Sequence, residues 1–212
     1  GKMTPIRGAA GLVPLGGGRI RRPARAETLL LPQRPYLPLG TLRAAVCYPA
    51  GPGEVDTAAI VFALTRCGLG GLAARLDEAG RWDRILSLGE QQRLGFARLL
   101  LLRPRWALLD EATSALDEIA EAGLMRLFEQ ELAGVGLVST GDRPGLARWH
   151  DRVLRIEEGR LIGAAAAALP PLPAPGRLRV AHAHALPEQR PAARPDRQAA
   201  PARAMQGRAQ AL

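Results

Sequence analysis

The sequence predicts an α/β fold built on a mostly parallel sheet, and three observations carry that prediction. Short continuous apolar runs, in Thr28–Leu31, Trp106–Leu109 and Leu137–Val138, read as strands buried on both faces. Between them lie helix-periodic stretches: Leu94, Ala97, Arg98 and Leu101 fall at i, i+3, i+4 and i+7, and Ile119, Ala122, Leu124, Leu127 and Phe128 follow a similar spacing. A chain of 212 residues that is 47% apolar has the material for one such core. From Ala164 onward the composition shifts to Ala, Pro and Arg, which predicts a disordered tail over 164–212.

Composition narrows the function classes. No apolar run is long enough to cross a bilayer, no secretory signal is visible, and the chain opens on Gly. Cys47 and Cys67 lack a metal-binding spacing and read as reduced thiols. His182 and His184, alternating with alanine, lack the further partners a metal site needs. The net charge of +9 is uneven, because the tail sets seven arginines against Glu188 and Asp196. A basic tail is compatible with nucleic acid or anionic lipid. Without stacking aromatics or a basic helical face it reads as a solvated segment, and no specific nucleic-acid partner is expected.

In chain order, Gly16-Gly17-Gly18 and Pro23 mark turns around a short strand at Arg19-Ile20, and Thr28–Leu31 is the first buried strand. It ends at Pro32-Gln33-Arg34-Pro35-Tyr36. Residues 41–82 read as helical, with Thr41 capping Leu42–Val46 and Glu54 opening a helix that runs to Cys67. Gly68, Gly70 and Gly71 close that helix, Leu72–Glu78 adds a further turn or two, and Trp82 reads as packing. A helix then follows Ser87, a strand spans Trp106–Leu109, and a second helix spans Glu118–Leu132. Leu137–Thr140 and Arg152–Ile156 are further strands, and Glu157–Arg160 is a hairpin turn.

The chemistry concentrates between Leu86 and Asp117. Ser87-Leu88-Gly89-Glu90-Gln91 opens a helix, whose unpaired N–H groups and positive dipole end suit phosphate, and Gly89 allows close approach to an anion. Trp106–Glu111 is an apolar strand ending in two carboxylates, a pattern that in nucleotide hydrolases holds Mg²⁺ and polarises water. Ser114-Ala115-Leu116-Asp117 follows directly. At the chain's start, Gly1-Lys2-Met3-Thr4 has the form of the end of a phosphate-binding loop.

These motifs, at this order and spacing, resemble the ATP-binding cassette (ABC) ATPases from Gly1 to about Gly163. SLGEQ resembles the signature motif, WALLDE the Walker B strand and SALD the D-loop, while PQRPY followed by GTLR resembles the Q-loop. The wording LSLGEQQRLGFARLLL is similar to bacterial transporters with membrane and ATPase domains in one polypeptide, of the peptide and vitamin B12 type, related to peroxisomal fatty-acyl transporters. The resemblance implies a P-loop NTPase-like sheet without its first strands over 1–163 and a helical signature subdomain over 41–95. It also implies ATP and Mg²⁺ as cofactors, a second cassette paired head to tail, a transporter membrane domain, and a place on the cytoplasmic face of the bacterial inner membrane. By the same resemblance, Gly1, Lys2, Met3 and Thr4 bind phosphate, Gln33 and Asp110 address Mg²⁺, and Glu111 is the general base. Ser87, Gly89 and Glu90 belong to the face that meets the partner's nucleotide, and Asp117 couples the two sites.

Two positions depart from the family pattern. Met3 stands where a Ser or Thr hydroxyl is expected on Mg²⁺, and a thioether is a poor ligand for that hard cation. Asp142 stands where the family carries a His that donates to the γ-phosphate; an ionised carboxylate cannot donate and repels the phosphate. The primary expectation is therefore the ATP-hydrolysing part of an ABC transporter. The alternative is a degenerate or truncated cassette that keeps the signature face without hydrolysing at its own site.

Overall fold

The computed structural model describes residues 8, 10–12, 22–141, 143–157, 160–162 and 180–182. Five parallel strands form the main sheet: β1 (Thr28–Pro32), β4 (Trp106–Asp110), β5 (Gly136–Thr140), β9 (Val180–His182) and β6 (Arg152–Val153), in that spatial order. Residues 106–110 are all buried, which explains why β4 is apolar throughout rather than alternating. Two short antiparallel pairs complete the strands: β2 (Gly40–Thr41) with β3 (Ala79–Gly80), and β7 (Arg155–Glu157) with β8 (Arg160–Ile162).

Between β1 and β4 the chain makes a helical layer. Helix α1 (Leu42–Cys47) starts where the Thr41 hydroxyl accepts the Ala44 N–H, as the sequence predicts. Helix α2 (Thr57–Arg66) begins later than the predicted Glu54, because Glu54 sits in a turn bonded to Gly51. Its cap is Asp56, whose carboxylate accepts the Ala58 and Ala59 N–H groups. The helix stops in a Schellman arrangement, with Leu69 N–H on Leu64 O, Gly68 N–H on Thr65 O, and Gly68 at φ +72°. The turn predicted over Leu72–Glu78 is instead a 3₁₀ segment at Gly70–Arg75. Arg43 ties the layer together through Asp77 and Thr57.

Helix α3 (Leu88–Leu102) is buried nearly all round rather than along one stripe, with Leu94, Phe96, Ala97, Leu99 and Leu100 all in the core. Arg103 ends it at φ 42°, just before Pro104. Helix α4 (Glu118–Gln130) packs against it through an edge-to-face pair of Phe96 and Phe128, 6.0 Å between ring centres. Trp82 is fully buried, so packing is its place. Cys47 and Cys67 are free and buried, and desolvation pushes the Cys67 thiol up to about 12.

Two further predicted segments differ from the structure. The strand expected over Arg152–Ile156 is split, because Arg152–Val153 joins the main sheet while Arg155–Glu157 turns into the hairpin with β8. Val180–His182, inside the segment expected to be disordered, is β9, paired on both sides with β5 and β6. A β-branched valine beside small alanine suits a strand enclosed between two neighbours. The predicted strand at Arg19-Ile20 and the other tail residues lie outside the described residues. Among the described residues, no helix is long and apolar enough to cross a membrane.

Candidate functional site

Strand register builds the site. Pro32, Asp110 and Thr140 are aligned across β1, β4 and β5, so Gln33, Glu111 and Gly141 leave the sheet side by side at its carboxyl edge. Ligands of parallel α/β sheets bind at this edge. Asp110 is fully buried and accepts a hydrogen bond from the Thr140 hydroxyl at 3.2 Å. Glu111 has φ 53°, in the left-handed region, while its N–H bonds Thr140 O. A non-glycine residue held there costs on the order of 1–3 kcal/mol. The turn lifts Glu111 out of the strand direction into the loop Ala112–Asp117. A small cavity of about 100 Å³ opens there between Glu111, Ser114, Glu121 and Arg143.

The signature stretch is a capping box. Ser87 Oγ accepts the Glu90 N–H and donates to Glu90 Oε2 at 2.7 Å, and the Ser87 N–H also donates to that oxygen at 2.8 Å. These bonds from Ser87 hold the Glu90 carboxyl below its usual range. Gly89 faces the SALD loop of its own chain, where a Cβ would lie 3.3 Å from the Ala115 carbonyl. Close backbone packing therefore favours a glycine there, independently of any anion. Asp117 caps α4, accepting the Ala120 N–H at 2.7 Å.

The SALD loop, which follows Glu111 and ends at Asp117, meets Gln33 and Gly89, and a buried glutamine of α3 joins these pieces. Gln92, 1% exposed, donates to Gln33 O at 2.9 Å and Ser114 Oγ at 3.2 Å, and accepts the Ala115 N–H at 3.0 Å. Gln33 Nε2 also donates to Ser114 Oγ, at 3.3 Å. A glutamine on a helix that buries its neighbours was the available signal, because buried amides need partners. Arg98 is likewise buried, and it donates to Ala45 O and Tyr36 O. Burial lowers its guanidinium to about 10, so it stays charged at neutral pH, with the Ala45 carbonyl in the last turn of α1 and the Tyr36 carbonyl as its acceptors.

Arg143, directly after the expected switch position, donates to the carbonyls of Ser114 and Leu116. His150 is engaged elsewhere: Nδ1 donates to Leu146 O, and Nε2 shares a hydrogen bond with the Ser139 hydroxyl at 2.8 Å. Gly1, Lys2, Met3, Thr4 and Asp142 lie outside the described residues.

Residues 10–114 match the family model for the ABC transporter. An uncharacterized ABC transporter ATP-binding protein of Synechocystis is 43% identical over 164 residues, covering 76% of this chain and 24% of that protein. The mouse lysosomal cobalamin transporter ABCD4 is 45% identical over 141 residues, covering 62% and 23% respectively. A bacterial Atm1-family ABC exporter with ATP bound superposes with a TM-score of 0.58 at 26% identity, covering 65% of this chain and 25% of that one. The chain thus spans about a quarter of the length of these relatives. The family match, the relatives and the shared fold agree, and the chain belongs to the family of ABC transporter ATP-binding domains.

Proposed function

We propose that this chain forms half of a paired ATP site that powers transport through an associated membrane domain, on the cytoplasmic face of the membrane. The supporting observation is the shared row of Pro32, Asp110 and Thr140, which sets Gln33 and Glu111 side by side at the edge where nucleotide would lie. Glu111 then serves as general base toward the attacking water, and its left-handed backbone holds the carboxylate out of the sheet. Asp110 and the Gln33 side-chain oxygen are hard oxygen donors of the type Mg²⁺ takes, and the ion would neutralise phosphate charge when bound. Lys2, flanked by Gly1, Met3 and Thr4, is assigned to phosphate, and Asp142 to the switch position, on sequence grounds.

Ser87 and Gly89 would face the nucleotide held by a second cassette across a two-fold axis. Ser87 Oγ–H now points to Glu90, so it must rotate to donate to a phosphate, leaving Glu90 bonded to the Ser87 N–H. Asp117 lies at the end of the same loop and would carry the state of one site to the other.

The test measures phosphate release from Mg-ATP by the ATP-binding domain of the Synechocystis relative, with and without this chain. Stimulation is expected, and Ser87→Arg should abolish it by filling the phosphate position with a bulky side chain. Stimulation that survives Ser87→Arg unchanged would sink the composite-site reading.

A further inference from the structure

The SALD loop is held from two sides. Gln92 of α3 takes the Ala115 N–H from one side. From the other, the Arg143 guanidinium reaches the carbonyls on either side of Ala115: Nη2 donates to Ser114 O at 2.9 Å and Nη1 donates to Leu116 O. Nη1 also pairs with Glu121 Oε2 at 3.3 Å, and Glu121 on α4 is only 5% exposed. Arg143 lies two residues after Gly141, on the loop that leaves β5. A planar fork of donors suits two carbonyls spaced by one residue, where a single ammonium would satisfy one.

From this arrangement we infer that Arg143 is a positioning residue that locks the SALD loop to the loop leaving β5. The active-site edge and the surface offered to the partner cassette then move as one. The clamp acts through backbone groups. Ser114 and Ala115 are exposed, so without Arg143 the loop has water as its alternative partner. Glu111 lies at the loop's other end, where the Ser114 N–H bonds Glu111 O. Displacing the loop therefore disturbs the general base and Asp117 together, although Arg143 touches neither reacting atom. The inference rests on the composite-site reading for its consequence in turnover, and on the hydrogen-bond geometry alone for the clamp itself.

The test uses the full chain and two measurements. Arg143→Met keeps the aliphatic stem and removes every donor, and Arg143→Lys keeps the charge and one usable donor direction. Hydrogen exchange at the amides of Ser114 to Asp117 should accelerate about tenfold in Arg143→Met, with α3 amides unchanged and Arg143→Lys intermediate. In the mixed assay with the Synechocystis relative's domain, stimulated kcat should fall about tenfold with KM for ATP within roughly twofold, and Arg143→Lys should recover part of it. Unchanged exchange in Arg143→Met overturns the clamp. A loosened loop with unaltered kcat, or a fall shared equally by Arg143→Lys, overturns the positioning role. If the unaltered chain gives no stimulation at all, the composite-site reading falls, and the exchange measurement alone decides whether Arg143 holds the loop.

Discussion

Glu90 shows how a single carboxylate serves both the fold and the site. Its pKa is lowered by the bonds from Ser87, so the sign of its contribution is fixed: stability is present above the unfolded value of 4.5 and is lost as pH falls through the lower folded value. Glu90→Gln keeps the shape but loses the charge, and at neutral pH it should cost about 0.5–1 kcal/mol at this helix N-terminus. The gap in Tm between the protein and Glu90→Gln should therefore close as the pH drops below 4.5. A gap that stays constant down to the lowest pH at which both proteins fold would show that charge is not what Glu90 supplies. At this scale Ser87, Asp110, Glu111 and Asp117 could be singled out from the sequence as candidates, because they sit in local motifs of fixed spacing. Gln92 and Arg143 were not, because their partners lie 19 residues or more away along the chain. Only the tertiary fold makes those pairs neighbours.

The elements were legible where local signals agree and displaced where they compete. β1, β4, β5, α1 and α4 follow their apolar runs and caps nearly as read. The start of α2 moved because Asp56, a better cap than Glu54, lies after the Pro52-Gly53 turn. Gly136 illustrates a constraint that composition could not reveal. It opens β5 beside Trp106 of β4, and a Cβ there would lie 2.5 Å from the indole ring. Gly136→Ala should cost roughly 1–3 kcal/mol by overpacking. Trimming the ring in Gly136→Ala/Trp106→Leu should give a loss smaller than the sum of the single changes, read from urea unfolding midpoints. Additive losses would mean the two side chains do not compete for that space.

For the whole molecule, the question is how far the sheet extends. Register places Val180 opposite Val138 of β5 on one side and Arg152 of β6 on the other, so β9 bridges strands that do not otherwise pair. An Ala/Pro/Arg composition hid this strand, because compositional bias describes the average of a long segment and not three residues within it. The charge pattern agrees with a mixed tail, since its seven arginines lie on both sides of Val180–His182 and leave the strand itself without a formal charge when His182 is neutral. With β9 inside the sheet, Val180→Pro should remove an interior ladder donor, with a loss of about 3 kcal/mol or more. Val180→Thr, which keeps β-branching, should cost far less. The thiols give an independent readout: Cys47 and Cys67 are buried with raised pKa values, so at pH 8 they should react with iodoacetamide only through unfolding. Val180→Pro should speed that labelling in step with its loss of stability. Equal melting temperatures and equal labelling rates for Val180→Pro and the unaltered chain would show that the core closes without β9.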